Sequence, residues 1–185
     1  MSWHVVRLQD IPATPWKNGG GTTRELVAWP DPHNWVARLS VAEVTQGGPF
    51  SAFAGVHRWF AVLSGSGVQL TLNQGRHVLH ESTPSFDFAG DTPVDCQLLD
   101  GPTQDFNLMV KQGVPAQMSR INGAVLYTLE TPKIIAVYAV NTWASVLFGT
   151  DVLTIEPYTL IWQHLPTGSQ VQVQAENALW MEIDR

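Results

Sequence analysis

The sequence predicts an all-β protein made of two similar barrels, and three observations carry that expectation. Short apolar runs bounded by turn residues recur from end to end, no stretch shows a capped helical pattern, and the second half of the chain weakly repeats the first. The 185 residues are 44% hydrophobic, enough for a sizeable core in one large domain or two small ones. Only 14% are charged, and eight Trp and seven Phe are spread along the chain, a composition that suits sheets with aromatic-lined interiors.

The runs are WVARLSVAEV (35–44), WFAVLSG (59–65), VQLTL (68–72), VDCQLL (94–99) and FNLMV (106–110), then AVLYTLE (124–130), IIAVYAV (134–140), VLTIE (152–156), TLIWQHL (159–165), VQVQ (171–174) and ALWMEI (178–183). Each is of strand length and bounded by Gly, Pro, Asn or Asp. No window of a dozen residues carries an amphipathic 3.6-residue period, so helix is expected to be minor. The repeat sets Leu63 against Tyr138, Pro84-Ser85-Phe86 against Pro157-Tyr158-Thr159, VDCQLL against SQVQVQ, and DFNLMV against ALWMEI, with chance likeness among β-rich segments as the alternative. Gly113 and Pro115 interrupt the pattern in KQGVPAQ (111–117), which divides the chain into 1–115 and 116–185, with the N-terminal strand pairing into the second barrel.

Charge excludes some partners. A net charge of -6 leaves no basic stripe to neutralise phosphates, so no nucleic acid is expected, and anionic membrane surfaces would repel the chain. The opening MSWHVVRLQDIPATPW does not read as a secretory leader, and no stretch reads as a membrane span. Cys96 is the only cysteine, so no internal disulfide can form, which fits a reducing, cytoplasmic setting.

Four segments hold candidate chemistry. In PWKNGGGTTRE (15–25), three glycines allow close backbone approach, but Lys17 precedes them and no helix follows, so a P-loop reading fails on order. The amides of Gly19, Gly20 and Gly21 are a candidate nest for a carboxylate with Lys17 as counter-charge, and a plain turn or bulge is the alternative. In WVARLSVAEV, alternation puts Arg38 and Ser40 on one face with Val36, Ala42 and Val44. An arginine there needs a partner, either a ligand carboxylate or an internal acid such as Glu25 or Asp105. In DFNLM, Asp105, Asn107 and Met109 share a face, within reach of Arg38 or Arg58, as ligand readers or as a buried network that specifies the barrel.

The fourth segment, GGPFSAFAGVHRWFAVLSGSG (47–67), lies where a cupin barrel carries a histidine pair, then a glutamate, then a strand ending in a glycine turn. The VLSGSG ending fits, but Arg58 stands at the glutamate's place and small or apolar residues stand at those of the histidines. The six histidines, His4, His33, His57, His77, His80 and His164, form no His-x-His pair, and His77 and His80 point to opposite sides of one strand. No metal or other cofactor is therefore expected, and Cys96 reads as a core residue.

Taken in order, PWKNGGGTTRE, the Arg38-x-Ser40-x-Ala42-x-Val44 strand, Gly48-Pro49-Phe50-Ser51-x-Phe53, Arg58 and DFNLM resemble the HutD/Ves family over about the first 110 residues. The resemblance implies a bicupin fold, two cupin-like (jelly-roll) barrels in one chain, often assembled as a homodimer. It also implies a bacterial, regulatory role in histidine utilisation, with urocanate or a formylated or formiminated glutamate as ligand. The family blocks fall on Lys17, Asn18, Gly19, Gly20, Gly21, Thr23, Glu25, Arg38, Ser40, Ser51, Arg58, Asp105 and Asn107. The expected function is binding of a small carboxylate metabolite without catalytic residues. Two readings stand beside it: a metal-independent isomerase or hydrolase using Glu25 or Asp105 as general base, and a scaffold, stress-related for instance, that acts through a protein partner.

Overall fold

Alternating apolar and polar residues, punctuated by glycine and proline, become antiparallel strands throughout the computed structural model, which describes residues 2–184. In chain order these are β1 (His4–Arg7), β2 (Thr14–Pro15), β3 (Gly21–Trp29), β4 (Ala37–Val44), β5 (Gly48–Pro49), β6 (Val56–Ser64), β7 (Val68–Leu72), β8 (Gly75–Leu79) and β9 (Phe86–Ala89). They continue as β10 (Asp95–Leu98), β11 (Thr103–Lys111), β12 (Ala116–Thr128), β13 (Lys133–Ala139), β14 (Ala144–Phe148), β15 (Asp151–Ile155), β16 (Thr159–Leu165) and β17 (Gln170–Asp184). Among the described residues the one helical element is a 3-10 turn, Leu8–Asp10.

The chain forms two compact units. One is Ile11–Gly113; the other joins the segment up to Asp10 to the chain from Val114 onward. The first residues thus belong with the C-terminal unit, because β1 pairs with β16 along His4–Arg7.

The Ile11–Gly113 unit faces a six-stranded sheet, β2-β3-β4-β11-β6-β9, with a four-stranded one, β5-β10-β7-β8. Phe60, Val62 and Phe88 from the first meet Val68, Leu70, Leu79 and Cys96 from the second in one apolar core. Burial pushes the Cys96 thiol up to about 12, so it stays protonated, an inert core side chain.

The other unit winds around β17, whose 15 residues pair with β12 on one side and, on the other, with β14 over Val171–Ala175 and β13 over Ala178–Asp184. Its core gathers Ile135, Val137, Ile161, Val171, Val173 and Trp180. The sequence reads β17 as two strands, 171–174 and 178–183. Ala175-Glu176-Asn177 contains neither Gly nor Pro to break it, and the bend is taken up by the partner strand instead. There the register shifts between Ile121 and Gly123, and Gly123 adopts a φ of 109° that a side chain would resist.

The two units repeat one wiring. In the first, β6 lies between β9 and β11, β10 pairs with β7, and β7 and β8 form a hairpin. In the second, β13 lies between β16 and the distal half of β17, the proximal half pairs with β14, and β14 and β15 form a hairpin. The segments matched by the sequence repeat are the ones that take equivalent places.

Candidate ligand-binding site

Strand register builds the floor of a cavity in the Ile11–Gly113 unit. Across β4, β11 and β6, Arg38 faces Met109 and Met109 faces Arg58; one step along, Ser40 faces Asn107 and Asn107 faces Phe60. Cross-strand neighbours share a face, so these six side chains point the same way. They line a cavity of about 500 Å³ together with Pro15, Trp16, Lys17, Asn18, Thr23, Ala42, Val44, Pro49, Phe50, Ser51 and Phe53.

Arg58 is the centre of this site. Its residue surface is only 5% exposed, and among the described residues no carboxylate pairs with it. Its Nη2 donates to Asn107 Oδ1 at 2.9 Å and its Nη1 makes a long contact of 3.5 Å with the Ser51 carbonyl. Nε has no hydrogen-bond partner among the described residues. The guanidinium carbon lies 5.2, 5.7 and 5.1 Å from the ring centroids of Phe50, Phe53 and Phe88. Such an aromatic box attracts a cation and holds it in one plane. Burial, and then the nearby Arg38 charge, lower its pKa to about 10, which leaves it charged at neutral pH.

Arg38 is held differently. Its Nε sits 2.7 Å from Glu25 Oε2, a close ionic contact whose angle falls outside that of a hydrogen bond. The internal partner that the sequence left open between Glu25 and Asp105 is thus Glu25. It is carried to Arg38 by β3, where a bulge between Glu25 and Val27 resets the pairing with β4.

The remaining expected residues divide cleanly. Lys17, Asn18, Thr23, Ser40, Ser51 and Asn107 line the cavity with the two arginines. Gly19, Gly20, Gly21 and Asp105 do not. The Gly19 amide donates to the Trp16 carbonyl at 3.0 Å and that of Gly20 to Asn18 Oδ1 at 3.0 Å, so these two donors close a turn and form no nest. Gly21 starts β3, where an added Cβ would lie 2.3 Å from the Glu43 carbonyl oxygen and 3.3 Å from the Trp16 ring. The glycines thus let the 16–20 turn fold onto β4, and Trp16 is fixed there by its Nε1 donating to Thr23 Oγ1 at 2.7 Å.

Composition predicts aromatic-lined interiors without saying which rings line this one. Phe60 is signalled by alternation, since it lies two residues from Arg58 on the same strand face. Phe50 and Phe53 carry no such signal, because they reach Arg58 from outside its strand. The donor set does not suit a metal: guanidinium groups offer no lone pair and repel a cation. Among the described residues no three His, Cys, Asp or Glu side chains gather in one place, and no helix is long and apolar enough to cross a membrane.

Asp105, on the same face of β11 as Asn107, sits deeper in the barrel near Cys96, fully buried, with Thr103 Oγ1 donating to Oδ2 at 2.9 Å and no hydrogen-bond partner for Oδ1 among the described residues. Burial pushes its carboxyl up to about 7, with the Thr103 bond pulling the other way. The folded state therefore holds this proton more tightly than the unfolded chain, where the group has its ordinary value near 3.8. Stability from Asp105 is complete below that value and is lost as pH rises through 7. Asp105→Asn is expected to exceed wild type by roughly 2–4 kcal/mol at pH 8 and to match it at pH 4. Urea unfolding of both proteins at the two pH values checks this; a constant offset would mean that Asp105 is ionised throughout.

Two barrels of like wiring, one open at a cationic cavity, define a bicupin-type protein. An oxalate decarboxylase of Bacillus subtilis shares this fold at a TM-score of 0.65 with 10% identity, over 97% of this chain and 76% of that one, a likeness of fold alone. The chain belongs to the HutD family, whose model matches residues 8–181. The structure of HutD from Pseudomonas fluorescens SBW25 is similar at a TM-score of 0.87 and 28% identity, over 99% of this chain and 98% of that one. An uncharacterized 21.2 kDa protein in hutC 3'region of Pseudomonas putida is 40% identical over 111 residues, 57% of this chain and 56% of that protein. Protein Ves of Cronobacter sakazakii is 37% identical over 108 residues, 57% of this chain and 59% of that protein. These matches span a little over half the length of the curated relatives.

Proposed function

We propose that this is a cytoplasmic binding protein, regulatory rather than catalytic, whose Ile11–Gly113 barrel takes up a small carboxylate metabolite of histidine catabolism. The observation that carries the reading is Arg58: a buried cation, boxed by phenylalanines, with no acid among the described residues to neutralise it. An uncompensated buried charge is costly, and folds keep such costs where a ligand repays them. A carboxylate entering the cavity meets that guanidinium, the Arg38 head group, and the hydroxyls of Ser40 and Ser51, while the aromatic walls supply apolar contact. The family's name and the Pseudomonas relatives supply the metabolic setting, with urocanate and the formylated or formiminated glutamates as candidates.

Calorimetry of the full chain with urocanate and with N-formylglutamate tests the proposal. Saturable binding of one of them is expected, weakened about tenfold or more in Arg38→Ala, the loss of one charge-assisted contact. Absence of binding by either compound to the folded wild type sinks the reading, and equal affinity of a folded Arg38→Ala removes that residue from the site.

A further inference from the structure

The floor of the cavity carries a pattern that a single carboxylate does not use. Arg38, Met109 and Arg58 stand opposite one another on three adjacent strands, so the row reads cation, apolar, cation. Neighbouring strands lie about 4.8 Å apart, which puts the two arginine backbones roughly 10 Å from each other. Each arginine has its own anchorage: Arg38 at Glu25 on the β3 side, Arg58 in the aromatic box and on Asn107. They are therefore two separate docking points with a thioether between them, and their charges repel.

The charge balance points the same way. Lys17, Arg38 and Arg58 line the cavity, and among the described residues no acidic side chain does. Glu25 offsets one of the three from behind Arg38. Asp105 sits deeper in the barrel and does not line the cavity, and burial pushes its carboxyl up towards the neutral form. Lys17 is exposed to solvent, so the positive field inside the cavity comes in full from Arg58 and in part from Arg38, which Glu25 engages through Nε alone.

We infer that the occupant is a dianion with spaced negative groups, a dicarboxylate of four to six carbons lying with one carboxylate at Arg38, the other at Arg58, and its methylenes across Met109. A compact dianion such as phosphate would satisfy the charge but leave one docking point bare. This rests on the carboxylate-binding reading above and specifies its substrate class.

The test compares glutarate with its monoamide, a ligand of the same size and one charge fewer, with inorganic phosphate as the compact dianion, by calorimetry on the full chain. Glutarate is expected to bind at least about tenfold more tightly than the monoamide and than phosphate. Arg38→Gln, at a side chain 20% exposed whose replacement keeps a polar group of similar length, is expected to lose the preference over the monoamide while keeping the wild-type melting profile. Equal affinity for glutarate and the monoamide overturns the dianion and leaves the single-carboxylate reading standing. Phosphate binding as tightly as glutarate overturns the spacing, and a preference that survives in Arg38→Gln removes Arg38 as the second docking point. No binding of any carboxylate overturns both this inference and the reading beneath it.

Discussion

Arg58→Met is expected to abolish ligand binding and to leave the fold as stable as wild type or more so. In the folded protein the guanidinium is desolvated and has only one good hydrogen bond, donated to Asn107 Oδ1, one long contact to the Ser51 carbonyl, and the faces of three phenylalanines. None of these neutralises its charge. Replacing a buried ion by a well-packed apolar side chain of similar length is often neutral or stabilising by about 1–4 kcal/mol. Methionine follows the stem of arginine into the same phenylalanine-lined slot, and Asn107 keeps access to solvent through the cavity. For the ligand the balance is opposite. Removing one side of a buried charge pair costs about 2–5 kcal/mol of binding, a loss of about 30-fold or more. Paired thermal melts and ligand titrations check both halves. A variant that melts well below wild type would make Arg58 a structural keystone and would remove the argument that its cost is kept for binding.

How far this site was legible in the sequence depends on the range of the interaction. Alternation alone places Arg38, Ser40, Ala42 and Val44 on one face and Asn107 with Met109 on another, and all six line the cavity. What alternation cannot give is register: that Met109 lies between the two arginines follows from pairing among β4, β11 and β6, which are separated by stretches of chain of different lengths. Asp105 shows the limit of the face argument, for it shares the face of Asn107 yet sits too deep to reach the cavity. The glycine run shows a second limit. Three consecutive glycines read as an anion nest or as a plain turn or bulge; the Trp16 carbonyl and Asn18 side chain take up two of the amides, and the Glu43 carbonyl that requires glycine at position 21 lies more than twenty residues away. The fold is more legible because the spacing of strands and turn residues is local. Its errors fall where no breaker marks a bend, as in β17.

Trp180→Ala is expected to produce the largest loss of stability of any single change considered. Trp180 lies on β17 opposite Val137 of β13 and Ser119 of β12, with no solvent exposure, in the core of the C-terminal unit. Its ring stacks on Tyr127 with centroids 3.9 Å apart and planes 4° from parallel. Its Nε1 donates to Glu182 Oε1 at 2.9 Å, and the other oxygen of that carboxylate pairs with Lys133 Nζ at 3.2 Å. Lys133 in turn reaches Asp184 at 2.7 Å. Truncation to alanine opens a cavity the size of an indole beside a buried carboxylate that has lost one of its two partners. The first effect costs about 3–5 kcal/mol and the second adds to it. Trp180→Phe separates the two, since it keeps a ring against Tyr127 and removes only the donor and part of the volume; a loss of about 2 kcal/mol is expected. Denaturant unfolding of the three proteins, followed by circular dichroism, gives the comparison. If the phenylalanine variant loses as much as the alanine one, the hydrogen bond to Glu182 outweighs the packing of the ring, and the core is organised around that carboxylate and Lys133.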